Sequence, residues 1–369
     1  MKPAISRLLR WVSAPLLLPL SWLFGGVVIL RGWLYDWGWM RSYSSPVPTV
    51  GIGNLTVGGT GKSPMADLLL RMLREEMTPA LLSRGYGRST RGYLEVTITS
   101  GADQVGDEPL MLKRAHPWCP VAVCEDRVAG CHELVRRHPQ IGVVLLDDAY
   151  QHRRLRLDFS ILLTDYHRLH CDDGFLPYGR RRDALGQARR ANVIVVTKCP
   201  PALADRPDEL QRLAQRLAQP GQPVLFSTVE YGAPYPLLPH EAPTTWNPAG
   251  GLWLLAGIAQ PAPFLQAAGQ LGHVVGITQL RDHERLSPAR MERLAQVASQ
   301  GVTLLMTAKD AARILHLVPL GSPIATQAWI LPISTRFLGD GYERLRHLLT
   351  RALQKKLSPL QNMTPTFRV

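Results

Sequence analysis

An uncharged stretch from Trp11 to Leu30, "WVSAPLLLPLSWLFGGVVIL", opens the hydrophobic pattern of this chain, with Arg7, Arg10 and Arg31 as its flanks. As a helix it is long enough to reach across about 30 Å of hydrocarbon. Pro15, Pro19 and the pair Gly25-Gly26 suit one straight lipid-exposed helix poorly. Trp33, Tyr35, Trp37 and Trp39 follow like an interfacial aromatic belt. No small-x-small site follows, as a cleaved leader would require. A helical hairpin buried on the protein is the rival to the reading taken here, an N-terminal membrane-associating helix that dips into the inner face of a membrane.

Beyond Arg41 the period changes. "TVGIGN" (Thr49–Asn54) is a short strand, and "SPMADLLLRMLREE" carries apolar residues at helical spacing. Apolar runs at Ile141–Leu146 and in "NVIVVT" have the continuous character of buried parallel strands. A Pro-rich span, Tyr231–Gly251, breaks the alternation. "LWLLAG", "HVVGIT" and "VTLLMTAKD" then restart strand-like runs around the helical "PARMERLAQVASQ", and "DGYERLRHLLTRALQKK" ends as a helix. The pattern predicts an α/β protein: a P-loop NTPase-like parallel-sheet domain and a second, smaller α/β sandwich. The expected boundaries are 1–41 for the hydrophobic segment, 42–230 for the first domain, 231–251 for a linker and 252–369 for the second domain.

Charge narrows the partners. The 369 residues carry a formal net charge of +13, mostly from Arg. That suits anionic partners: nucleotides, phosphorylated lipids or a phospholipid surface. The Arg residues are scattered without an aromatic-rich groove motif, which speaks against nucleic acid. The five Cys form no CxxC pair, and Cys119, Cys124 and Cys131-His132 match no common zinc spacing. Free thiols in a reducing compartment are the expectation.

Between the first strand and the first soluble helix lies "LTVGGTGKS", the context a phosphate loop requires. Gly58, Gly59, Thr60 and Gly61 let backbone N–H groups close around phosphate oxygens. The helix N-terminus adds its positive end, Lys62 reaches the β- and γ-phosphates, and Ser63 can ligate Mg²⁺. The usual first Gly of such a loop is Thr56 here. The run Ile141–Leu146 ends in Asp147-Asp148, and ligands of parallel sheets sit beyond such strand ends. One of the two Asp is therefore placed to hold Mg²⁺ through water. A GTPase should carry Asn-Lys-x-Asp after a later strand. Thr197-Lys198 stands there with no Asp two residues on, which counts against it. Asp107 and Glu108, in "VGDEP", form a loop carboxylate pair, either member of which could be a base or an Mg²⁺ ligand.

Several stretches together resemble the lipid A 4′-kinase (tetraacyldisaccharide 4′-kinase) family. They are the loop Gly53–Pro64, "LSRGYGR" (Leu82–Arg88), "VGDEPLML" (Val105–Leu112), "LDDAYQHRR" (Leu146–Arg154) and "LPYGRRRDAL" (Leu176–Leu185). "AGIAQP" (Ala256–Pro261), "LRDHERLS" (Leu280–Ser287) and "TAKDA" (Thr307–Ala311) continue them in the family's order. The family also starts its loop with Ser or Thr, which accounts for Thr56, and begins with a hydrophobic segment. Ala149-Tyr150 stand where the family commonly has Gly-Phe, and Arg182-Asp183-Ala184 where it has Arg-Glu-Pro. Glu284 stands where a second His is frequent.

The resemblance implies ATP and Mg²⁺ as cofactors. It implies transfer of the γ-phosphoryl group to the 4′-hydroxyl of a tetraacylated, 1-phosphorylated glucosamine disaccharide. The place implied is the cytoplasmic face of a Gram-negative inner membrane, with the chain acting as a monomer. By resemblance Asp107 is the general base and His283 its dyad partner. Asp183 joins Asp147 and Asp148 on the metal side, and Tyr86 contacts the nucleotide or sugar pocket. Glu108, Arg127, Gln151, His152 and Arg182 are candidates for holding substrate or ordering the acidic pair. The alternatives are an ATPase acting on another membrane substrate and a nucleotide-switched membrane-binding ATPase that transfers no phosphate to lipid.

Overall fold

The computed structural model describes residues 2–241, 245–281, 284 and 286–361. Two compact units emerge, one from residues 1–82, 127–229 and 335–369, the other from 83–126 and 230–334. Each is an α/β sandwich, as the alternation of periods predicts.

In the first unit the sheet runs Ile333–Phe337, Val224–Tyr231, Val193–Thr197, Phe159–Asp165, Thr49–Asn54, Val143–Leu146, Pro79–Ser83. Every register from Val224–Tyr231 to Pro79–Ser83 is parallel. The central strands are buried along their whole length, so their sequences read as unbroken apolar runs rather than alternations. From Thr49–Asn54 the chain crosses towards Pro79–Ser83 on one side, and it later returns to Phe159–Asp165 on the other. The carboxyl end of Thr49–Asn54 is therefore a topological switch point, where a parallel sheet opens a crevice for ligands. The C-terminal helix Gly341–Gln361 belongs to this unit and buries Leu345, Leu349 and Leu353.

The hydrophobic start is one helix, Lys2–Asp36, continuous through Pro15 and Pro19. Its Leu17–Asp36 portion is long and apolar enough to cross a membrane. Trp22, Leu23, Val27 and Trp33 stand exposed on it, and Trp37 just beyond its end. Gly25 is no helix breaker here. A Cβ at that position would lie 2.6 Å from the Phe175 ring, so the small residue lets the helix close on the 175–181 loop. The Ser21 hydroxyl accepts the Tyr178 N–H at 2.9 Å. At the foot, Arg153 donates to Gly32 O and to Asp36, each at 2.7 Å, and Arg189 donates to Asp36 at 2.8 Å.

The second unit is built on a sheet ordered Val274–Gln279, Leu252–Ala256, Thr303–Thr307, Ala328–Leu331, Tyr235–Pro236. All but the last strand are parallel. Leu255, Leu304, Met306 and Ile330 bury one face under the helices Pro288–Ser299 and Ala308–Ile314. Leu254, Ala256, Leu305 and Trp329 bury the other against Ala262–Leu271. The segment 83–126 joins this unit because its helix Asp107–Ala115 packs on Ala308–Ile314.

Candidate active site

The phosphate loop leaves the buried strand Thr49–Asn54 and enters the helix Lys62–Arg74. Gly58 and Gly61 take φ values of +115° and +82°, a region that side chains with a Cβ rarely enter. The loop is fixed from several sides. Asn54 Nδ2 donates to Thr60 Oγ1 at 2.7 Å. Val57 N–H donates to Arg180 O at 2.8 Å, and Arg182 N–H to Leu55 O at 2.8 Å.

Two residues at the end of Val193–Thr197 hold the loop's carbonyl oxygens. Thr197 Oγ1 donates to Thr60 O at 2.9 Å. Lys198 Nζ donates to Gly59 O and pairs with Asp165 at 2.7 Å. Across a trans peptide, C=O and the next N–H point in opposite directions. Holding Thr60 O on this side therefore turns the Gly61 N–H away from it. Lys198 does this from the left-handed region, at φ +58°, which costs a non-glycine residue about 1–3 kcal/mol. The sequence shows Thr197-Lys198 only as an incomplete guanine reader, and nothing in it signals this contact.

Lys62 lies 3.8 Å from Asp148. Asp148, also at positive φ (+48°), receives the Arg182 guanidinium on both carboxylate oxygens. Arg182 reaches the Asn54 side chain as well. Burial alone would push the Asp148 carboxyl up; the Arg182 hydrogen bond and the charges of Lys62, Arg182 and Arg127 outweigh it and hold it below the usual range. Asp147 is buried, its carbonyl 3.5 Å from Arg127 Nη2. Gln151 Nε2 donates to Asn54 O at 2.8 Å and lies 3.4 Å from Asp183. Asp183 is buried, and burial pushes its carboxyl up despite the Ala184 N–H, Arg190, Gln151 and Arg31. It meets the loop through Gln151. His152 is half-buried on the turn after the acidic pair.

This unit thus gathers Lys62, Ser63, Arg127, Asp147, Asp148, Gln151, Arg182 and Asp183 around the loop. Among the described residues no three His, Cys, Asp or Glu side chains form a metal cluster. A hydroxyl at the loop helix and neighbouring Asp oxygens still suit Mg²⁺, which keeps waters and takes substrate phosphate oxygens rather than a full protein cage.

The second unit carries the other candidates. Asp107 begins the helix Asp107–Ala115 and is 9% exposed. Arg313 Nε donates to its carboxylate at 2.7 Å. Glu108 pairs with Lys309 at 3.3 Å. Tyr86 is 70% exposed, so packing does not account for it. His283 lies outside the described residues. The sequence shows "TAKDA" only as a motif, and its continuation in the structure brings Arg313, three residues after Asp310, onto Asp107.

Comparison with known proteins shows the family. The family model of tetraacyldisaccharide-1-P 4'-kinase (LpxK) matches residues 13–354. A tetraacyldisaccharide 4'-kinase of Bacteroides thetaiotaomicron is 37% identical over 350 residues, 90% of this chain and 92% of that protein. Its counterpart in Cytophaga hutchinsonii is 38% identical, over 92% of this chain and 96% of the relative. The crystal structure of LpxK from Aquifex aeolicus in complex with ATP superposes with a TM-score of 0.71 at 25% identity, covering 94% of this chain and 99% of that one. With a phosphate loop at the sheet's switch point and a match along nearly its whole length, the chain belongs to the tetraacyldisaccharide-1-P 4'-kinase family.

Proposed function

We propose that the chain transfers the γ-phosphoryl group of ATP to the 4′-hydroxyl of a tetraacylated glucosamine disaccharide 1-phosphate, with the roles below. Family membership and the Lys62–Asp148 arrangement at the loop support this most directly. The 4′-oxygen attacks the γ-phosphorus as the bond to the β-bridging oxygen breaks, and ADP leaves. Asp107 takes the hydroxyl proton. Such a transfer passes through a loose transition state, so catalysis is mainly positioning and charge neutralisation. Loop N–H groups from Gly58 to Gly61 and the Lys62 ammonium meet the developing charge. Ser63, Asp147 and Asp148 would hold Mg²⁺, which neutralises the β- and γ-phosphate oxygens when bound. Arg182 keeps Asp148 ionised and oriented, and Arg127 and Gln151 order the same end of the sheet. The test is radiolabelled ATP with purified protein and the disaccharide lipid in detergent micelles. Labelled lipid supports the reading; labelled inorganic phosphate alone returns it to a lipid-independent ATPase.

The chain is a lipid A pathway enzyme with an apolar N-terminal helix. We infer that this helix seats it on the cytoplasmic face of the inner membrane, with the exposed Trp22, Leu23 and Val27 in lipid. Deleting residues 1–41 should move the protein from the membrane pellet to the supernatant while ADP binding stays measurable. A truncated chain that still sediments with membranes would place the anchor on the basic surface instead.

A further inference from the structure

Asp107 is fastened to the second unit's sheet through a buried cation, Arg313. Arg313, on the helix Ala308–Ile314, is 5% exposed and links Asp107 to the Asp310–Gly257 pair. Nε donates to Asp107 Oδ2 at 2.7 Å. Nη1 donates to Asp310 Oδ1 and to Gly257 O, both at 3.0 Å. Asp310 is fixed in turn: it meets the Gly257 N–H with its two oxygens at 3.1 and 3.0 Å and takes the Thr307 hydroxyl at 2.7 Å. Gly257 follows the strand Leu252–Ala256, and Thr307 ends the strand Thr303–Thr307, its parallel neighbour. The chain of contacts therefore runs from the carboxyl ends of two adjacent strands, through Asp310 and Arg313, to Asp107.

The site is shaped for this cation. A Cβ at residue 257 would lie 2.3 Å from Arg313 Nη1 and 2.6 Å from Asp310 Oδ1, so only glycine lets the backbone approach both. Two lesser ties hold the same pair of helices, Arg114 Nη1 on Ala312 O at 3.0 Å and Lys309 on Glu108. A guanidinium is planar, permanently charged and directional. Held by Asp310 and Gly257, it sets where the Asp107 carboxylate stands, as an ammonium on a flexible stem would not.

We propose that Arg313 is the positioning residue of the phosphoryl transfer: it holds the Asp107 carboxylate, ionised and oriented, for the acceptor hydroxyl. This rests on the reading of Asp107 as the base. The division of labour is consistent with a loose transition state, in which the hydroxyl proton moves late and the base must first be in place. In this role Arg313 acts through Asp107 and not on the nucleotide or the lipid.

The experiment is a double-mutant cycle in the full-length enzyme, with Arg313→Met, Asp107→Asn and both together. Each is assayed for kcat and for KM of ATP and lipid, with thermal melts to verify folding. Arg313→Met should lower kcat roughly 10- to 100-fold, with both KM values within about twofold. In the Asp107→Asn background the same change should move kcat less than about twofold, since residues acting as a unit are non-additive. Arg313→Lys should recover part of the wild-type rate. Equal losses in both backgrounds would make Arg313 a structural residue and overturn the proposal, as would a wild-type rate in Arg313→Met. Should Arg313→Met fail to fold, the cycle run with Arg313→Lys decides in the same way. Full activity in Asp107→Asn alone is a different failure: it removes the base assignment itself.

Discussion

Replacing Asp107 with Asn is expected to lower turnover about 10²- to 10⁴-fold, the usual contribution of a positioned base, while ATP affinity scarcely changes. Asn keeps the shape and offers Arg313 a carbonyl oxygen, so the buried guanidinium retains an acceptor. Alanine would leave that cation short of a partner and confuse lost chemistry with lost stability. His283→Ala should fall in the same range, and the double variant should be little worse than the poorer single one. Steady-state rates with saturating lipid, set beside ADP binding, read both effects. Multiplicative losses would mean that the two residues act separately. A fully active Asp107→Asn would pass the role to Glu108 or leave the reaction without a protein base.

Lys62→Ala should cost at least about a hundredfold in turnover, or about 2.7 kcal/mol of transition-state stabilisation. The ammonium stands at the head of the loop helix with 17% of its side chain exposed, 3.8 Å from Asp148. Removing it should leave the fold intact, because Asp148 keeps the two-pronged contact with Arg182 and the loop keeps Asn54, Thr197 and Lys198. A melting temperature near wild type together with a collapsed rate is the expected pair of results. A folded variant with near-normal turnover would remove Lys62 from the phosphate site.

Local signals carried much of this into the sequence. The strand, glycine loop and helix around Gly58–Ser63 are adjacent in the chain, so spacing alone shows them. The acidic pair is visible because a buried parallel strand is an apolar run that ends where the ligand sits. The hidden parts are long-range or conformational. Asp107 and Arg313 are 206 positions apart, and no local pattern joins them. Nor does composition show that Lys198 adopts a left-handed backbone to reach Gly59. Proline counting spoke against one straight helix, yet the chain runs as a single helix through Pro15 and Pro19. A proline costs a helix one backbone bond and a clash, a deficit that residues on either side can outweigh. The return of Gly341–Gln361 to the first unit, and the association of 83–126 with the second, are settled by packing partners far away in sequence.

The foot of the N-terminal helix is joined to the nucleotide side of its unit without slack. Arg31 donates to Gln151 O, Arg153 grips Gly32 and Asp36, and Gln151 itself donates to Asn54 O at the mouth of the phosphate loop. A flexible tether would let an enzyme roam over a range of heights above a bilayer. On the membrane seating proposed above, the helix would work as a ruler: its depth of insertion would set the altitude of the loop to within side-chain dimensions. Bilayer thickness and helix length would then become variables of catalysis.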